Sequence, residues 1–170
     1  MKLSRDTKLF LRKSLIWFLI IFAASLIQTS FLAVLEPIGA VPDLVLLVSM
    51  GAGYFVSRYQ GAIFGLASGV IIYALGDIGL AFLPIVYALA GFLAGVLVEK
   101  IFKGKFAVWC IYCVGGALFK AVYSLFCTIV FSGEFQLWAV LGRTVLPELV
   151  GTVLLGAALY VPIRKITKIL

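Results

Sequence analysis

From Ser14 to Leu35 the chain runs 22 residues without a charge, slightly more than the roughly 20 residues a helix needs to cross a hydrocarbon core of about 30 Å. Such a stretch must be buried on all sides or face lipid. Comparable runs follow at Leu44–Ser57, Gly61–Leu75, Leu80–Val98, Phe106–Phe131 and from about Leu137 to Ile163, with the 14 basic and 7 acidic residues gathered mostly between them. The apolar share is 64%, against roughly 45–50% in an ordinary soluble domain. Despite the net charge of +7, so much uncharged apolar sequence excludes a disordered or nucleic-acid-binding chain. At about 20 residues per crossing, 170 residues supply roughly six helices and leave no room for an extramembrane domain. The expectation is an all-α integral membrane protein, residues 1–170 forming one transmembrane domain.

The predicted helices are approximately 14–35, 43–57, 61–75, 79–98, 106–131 and 137–163. The first apolar run is far longer than the core of a typical signal peptide, so it is expected to persist as an anchor. Leu44 to Leu75 taken as one helix would be about 48 Å long, too long for the bilayer core, and a tight hairpin at Arg58-Tyr59-Gln60 is expected instead.

Charge supports this count, because short loops rich in lysine and arginine stay in the cytoplasm. With six crossings and the N-terminus inside, the five N-terminal bases, Arg58, Lys100, Lys103, Lys105 and the C-terminal Arg164, Lys165 and Lys168 all fall on the cytoplasmic side, 12 of the 14. The outer loops hold Glu36, Asp43, Asp77 and Glu134. The predicted arrangement is therefore a multi-pass membrane protein with both termini cytoplasmic. Short loops restrict partners to membrane helices, lipids or a small substrate in the bilayer, and the basic inner surface favours anionic lipid headgroups.

The chemistry available is narrow. There is no histidine, so the commonest general base and metal ligand is missing. Cys110 and Cys113 form a CIYC string, but with Val108, Trp109, Ile111 and Tyr112 around them nothing stabilises a thiolate, and with Cys127 they read as small apolar helix residues. No catalytic set, metal site or cofactor site can be assembled, and an enzyme is not expected.

Two constellations remain. Gly61, Gly65 and Gly69, four residues apart, share one helix face, and Gly91 and Gly95 repeat the spacing. In lipid, small residues that permit close backbone approach form packing seams, so these glycines serve either internal packing or the docking of a partner helix. Lys120 lies deep in the fifth span, where an unpaired charge costs several kcal/mol. Glu134 sits at the centre of the following loop, and Lys120 and Glu148 are each 14 residues from it. Equal offsets on antiparallel helices predict an ion pair, with Arg143 as a competing partner for Glu148, snorkelling of Lys120 to water as the plain alternative, and a proton or substrate relay as the functional one. Pro147 is expected to kink or restart the last helix, and Trp17, Tyr59, Trp109, Trp138 and Tyr160 to form an interfacial belt.

The order of features resembles a known family. A basic N-terminus, a first helix ending in LIQTSFL with Gln28, the break VPDLVLL with Pro42, Asp43 and Leu44, the segment GAIFGLASGVIIYAL, and the last helix LPELVGTVLLGAALYVPIRK opening at Pro147 together look like MreD, the bacterial rod shape-determining membrane protein. Two positions depart from that pattern: Tyr73 stands where an aspartate is usual, and Gly151-Thr152 where an asparagine is frequent. The resemblance implies a non-enzymatic scaffold of the cell-elongation machinery. It would bind the single-span protein MreC and, through it, the actin-like MreB, the glycosyltransferase RodA and a penicillin-binding transpeptidase, so supporting peptidoglycan synthesis and cell shape. The family is similar in architecture to the six-helix S components of energy-coupling-factor vitamin transporters, which supply the alternative reading. S components usually carry an alanine-rich small-xxx-small motif on the first helix. Here that helix has only Ala23-Ala24 and Ala33 among Leu, Ile and Phe, which argues against the alternative.

Overall fold

A computed structural model of the chain describes residues 5–30, 41–75, 82–100, 105–132, 142 and 145–169. Within them are six α-helices and no strand: α1 (Arg5–Ser30), α2 (Leu44–Phe55), α3 (Arg58–Ala74), α4 (Leu83–Lys100), α5 (Phe106–Ser132) and α6 (Leu146–Ile169). Three of them hold stretches long and apolar enough to cross a membrane: Arg12–Ser30 in α1, Phe106–Cys127 in α5 and Leu146–Thr167 in α6.

The centre of the molecule is α2. Every residue from Leu44 to Tyr54 is buried, as expected for a helix apolar on all sides. Its 12 residues rise only about 18 Å, less than the roughly 30 Å of a hydrocarbon core. The turn that follows uses Val56 and Ser57, so Arg58 is the first residue of α3 rather than part of the hairpin. Ser57 explains the shift: its Oγ accepts from the Gln60 amide at 3.3 Å and caps α3. At the same end Arg58 Nη1 meets Glu99 Oε2 of α4 at 3.3 Å, a half-exposed pair worth little.

The glycines hold α2, α3 and α4 together. A Cβ on Gly65 would overlap the Tyr87 carbonyl oxygen, one on Gly69 the backbone of Pro84, and one on Gly95 the backbone of Arg58. Gly61 and Gly91 face each other so closely that neither tolerates a side chain, and Gly53 of α2 abuts Gly91 as well. The face that could have received a partner's helix is thus filled by the protein's own α4. Of the two roles that the spacing allows, these glycines take internal packing.

Around that slab, α1 lays Trp17 over Phe64 of α3, ring centroids 6.2 Å apart. α5 and α6 pair with each other and close over α2. Trp109 is fully buried and its indole N–H donates to the Gly156 carbonyl at 2.7 Å. Trp17 and Trp109, at 2% and 0% exposure, are core residues and not members of an interfacial belt. The indole of Trp109 instead meets Tyr54 edge-on at 5.3 Å, and Tyr54 meets Tyr112 at 5.5 Å, an aromatic cluster that ties α2 to α5. The last helix restarts at Leu146, which places Pro147 in its first turn, where a missing N–H costs nothing. Pro162 lies inside α6 near its end. Arg143 and Trp138 lie outside the described residues.

Candidate functional site

The N-terminus of α2 opens inside the bundle, away from bulk water, so each of its unpaired amides needs a partner. The sequence provides one for each. Leu46 N–H donates to Asp43 Oδ1 at 2.8 Å, the side-chain cap of the helix. Val45 N–H donates to Gln28 Oε1 of α1 at 2.9 Å. Asp43 N–H donates to Thr152 Oγ1 of α6 at 3.0 Å, and Leu44 N–H reaches back to the Pro42 carbonyl at 3.2 Å. Gln28, Pro42, Asp43 and Leu44 are therefore one structural unit, a capped helix start held from two sides.

The second oxygen of Asp43 organises the charges. Lys120 Nζ lies 2.6 Å from Asp43 Oδ2 and 2.6 Å from Glu148 Oε1, and the Tyr87 hydroxyl of α4 donates to Asp43 Oδ2 at 2.6 Å. The ammonium thus bridges two carboxylates, and the predicted Lys120–Glu148 contact is one arm of a three-residue cluster. Burial grades along it: side-chain exposure is 1% for Asp43, 13% for Lys120 and 23% for Glu148. Asp43 is the deepest group, with both carboxylate oxygens engaged, while Glu148 keeps a path toward the surface. Counting Gln28 and Thr152, residues from α1, α4, α5 and α6 converge on the start of α2.

Sequence reasoning finds the Lys120–Glu148 arm and misses Asp43 as the stronger partner, because it places Asp43 in an outer loop. A usable signal exists. Asp43 precedes Arg58 by as many positions as Lys120 follows Lys105. Tyr54 of α2 donates to the Lys105 carbonyl at 3.2 Å, so the Arg58 and Lys105 ends coincide and the Asp43 and Lys120 side chains stand at similar depth, about 18–22 Å along their helices. Tyr87 and Thr152 carry no such signal, since neither type is unusual in an apolar helix.

Beside the cluster is a void of about 10 Å³, bordered by Asp43, Lys120, Glu148 and Thr152, at the lower edge of what holds one water molecule. Two wider hollows lie elsewhere: one of about 280 Å³ at the Arg58 end, beside Ser57, Glu99 and Arg164, and one of about 240 Å³ between α4 and α5. Among the described residues no group of three metal-ligating side chains comes together, and Cys110, Cys113 and Cys127 are free thiols. The arrangement can hold helices in register, and among the described residues the void beside it is too small for an organic substrate. Comparison of the chain with known protein families, with characterised proteins and with solved structures returned no match.

Proposed function

We propose that this chain is a non-enzymatic membrane scaffold of the bacterial cell-elongation machinery. In this reading it is a six-pass protein of the cytoplasmic membrane with both termini inside, α2 being a crossing of which only 12 residues are helical. It binds the transmembrane helix of an MreC-like partner, and through it serves MreB, RodA and a penicillin-binding transpeptidase. The support from sequence is the MreD-like order of motifs. The observation that carries the reading is the charge cluster at the start of α2: among the described residues Asp43, Lys120, Glu148 and Tyr87 satisfy one another beside a void of only about 10 Å³. A vitamin-binding S component needs a chamber at least the size of its ligand, and typical small-molecule sites run to about 300–1,000 Å³.

The cluster suits a scaffold. A buried ion network adds little net stability against an apolar core, yet it fixes register, because any slip of α5 or α6 leaves a charge unpaired. A rigid centre of this kind gives the outer faces one shape for a partner's helix to read. The test is depletion of the chain in its native rod-shaped cell. Rounding of the cells, reversed by expressing the wild-type chain from a second locus, is the expected result. Unchanged rod shape at complete depletion would overturn the proposal.

A further inference from the structure

A hollow lies between α4 and α5. Its floor is Met50 of α2, its walls carry Ala90 and Ala94 on one side and Gly115 on the other, and it is apolar almost throughout. A Cβ on Gly116 would run into the Met50 thioether, whereas nothing among the described residues stands within 4 Å of one on Gly115. Met50 therefore wedges the two helices apart, and Gly115 opens onto vacant space. One polar group breaks the apolar lining: Tyr112 is 7% exposed, and its hydroxyl has no hydrogen-bond partner among the described residues. A buried donor left unpaired is costly, and a ligand presenting an acceptor would remove that cost once the ring turns its hydroxyl, now without accessible surface, toward the hollow.

Three observations select the occupant. The hollow holds about 240 Å³, on the order of eight methylene groups if each takes the ~30 Å³ of a water molecule; a helix about 10 Å wide could only sit across its rim. Tyr112 is seven residues from Lys105, about 10 Å along α5, and side chains lean toward the helix N-terminus. The phenol thus stands near the edge of the hydrocarbon layer, the level of the ester carbonyls of a glycerolipid. Finally, Lys105 precedes α5 at the end nearest Tyr112, and the stretch EKIFKGK that leads into it also carries Lys100 and Lys103, a composition that favours a phosphate.

We infer that the α4–α5 hollow is a binding site for an anionic glycerophospholipid of the leaflet on the Lys105 side: one acyl chain lies over Gly115, an ester carbonyl accepts from Tyr112, and the headgroup lies toward the basic end of α5. This goes beyond the scaffold reading and does not depend on it. The lipid would fill the gap that Met50 creates and so stiffen a place where two helices of the bundle diverge.

The test uses the full chain in phosphatidylcholine nanodiscs doped with a trace of phosphatidylglycerol carrying a diazirine near the middle of one tail, with the crosslinked residues mapped by mass spectrometry. Expected is labelling concentrated on α4 and α5 around the hollow, several-fold above a phosphatidylcholine probe of the same tail. Gly115→Phe, which fills the space, should abolish it, and Tyr112→Phe should lower it about fivefold, the loss of one hydrogen bond. Unfolding temperatures compared with wild type show that both variants fold, and Tyr112→Phe decides alone should Gly115→Phe not. Labelling spread evenly over the exposed faces of α1, α5 and α6, equal labelling by the two headgroups, or a signal indifferent to both variants would each overturn the assignment. So would protein–protein crosslinks from a photoreactive residue at position 115, which would place a second copy or a partner's helix in the hollow.

Discussion

Replacing Lys120 with methionine preserves the length of the side chain and removes the charge that two carboxylates share. Asp43, at 1% exposure, keeps the Tyr87 hydroxyl and the Leu46 amide but loses its only counter-charge among the described residues. Breaking a buried pair by deleting one partner costs about 3–5 kcal/mol, a large part of the roughly 5–15 kcal/mol that holds a typical domain together. At about 2–4 °C per kcal/mol for a chain of this size, the unfolding temperature in detergent should fall by about 6–20 °C. Tryptophan fluorescence suits the measurement, since Trp17 and Trp109 are both buried. Double variants sharpen it. Asp43→Asn with Lys120→Met should recover part of the loss, because the remaining charge, Glu148, is 23% exposed and can reach water. Lys120→Met with Glu148→Gln should recover little, because it leaves Asp43 charged and alone. A Lys120→Met protein as stable as wild type, or a better rescue by Glu148→Gln than by Asp43→Asn, would refute this reasoning.

Other outcomes follow from the same geometry. Gly65→Leu should prevent folding, because even its Cβ overlaps the Tyr87 carbonyl, whereas Gly115→Ala, which meets nothing within 4 Å, should fold normally and stabilise by about 0.4–1 kcal/mol; size-exclusion profiles and melting curves separate the two. Thr152→Val leaves the buried Asp43 amide without its acceptor and should cost about 1–3 kcal/mol by the same thermal assay. For topology, single cysteines introduced at positions 103 and 168 should resist a membrane-impermeant maleimide in intact cells while one at position 134 reacts; outside labelling at 103 would refute the six-pass arrangement.

The helical character, with helices long and apolar enough to cross a membrane, was legible because period and length are local. Charge-free runs as long as a bilayer crossing leave little choice, and Pro147 and the glycines mark restarts and close approaches wherever they occur. What composition could not decide was how far α2 reaches. Asp43 reads as a loop residue until the shortness of α2 is set against the depth of Lys120, and only then does an N-cap become a buried counter-charge. The glycine stripe shows the same limit: spacing identifies a close-packing face but not what lies against it, and here α4 fills it. Trp17 and Trp109 misled for a related reason. Their positions near helix ends match an interfacial belt, yet which side of a helix faces lipid depends on neighbours the sequence does not order. Gln28 and Thr152 acquire a role only once Asp43 is in place, because each completes the start of a helix contributed by another part of the chain.

The central claim, that the chain exists to hold a partner's helix, is tested most directly by affinity purification of the tagged full-length protein from its native membrane in mild detergent, with the co-purifying proteins quantified. The account predicts a single-span MreC-like protein in near-stoichiometric amount, retained in Thr152→Val and lost in Lys120→Met, where the bundle that shapes the docking face is loosened. Recovery of an ATPase-driven coupling module in its place, together with saturable binding of a vitamin by the purified chain, would contradict it.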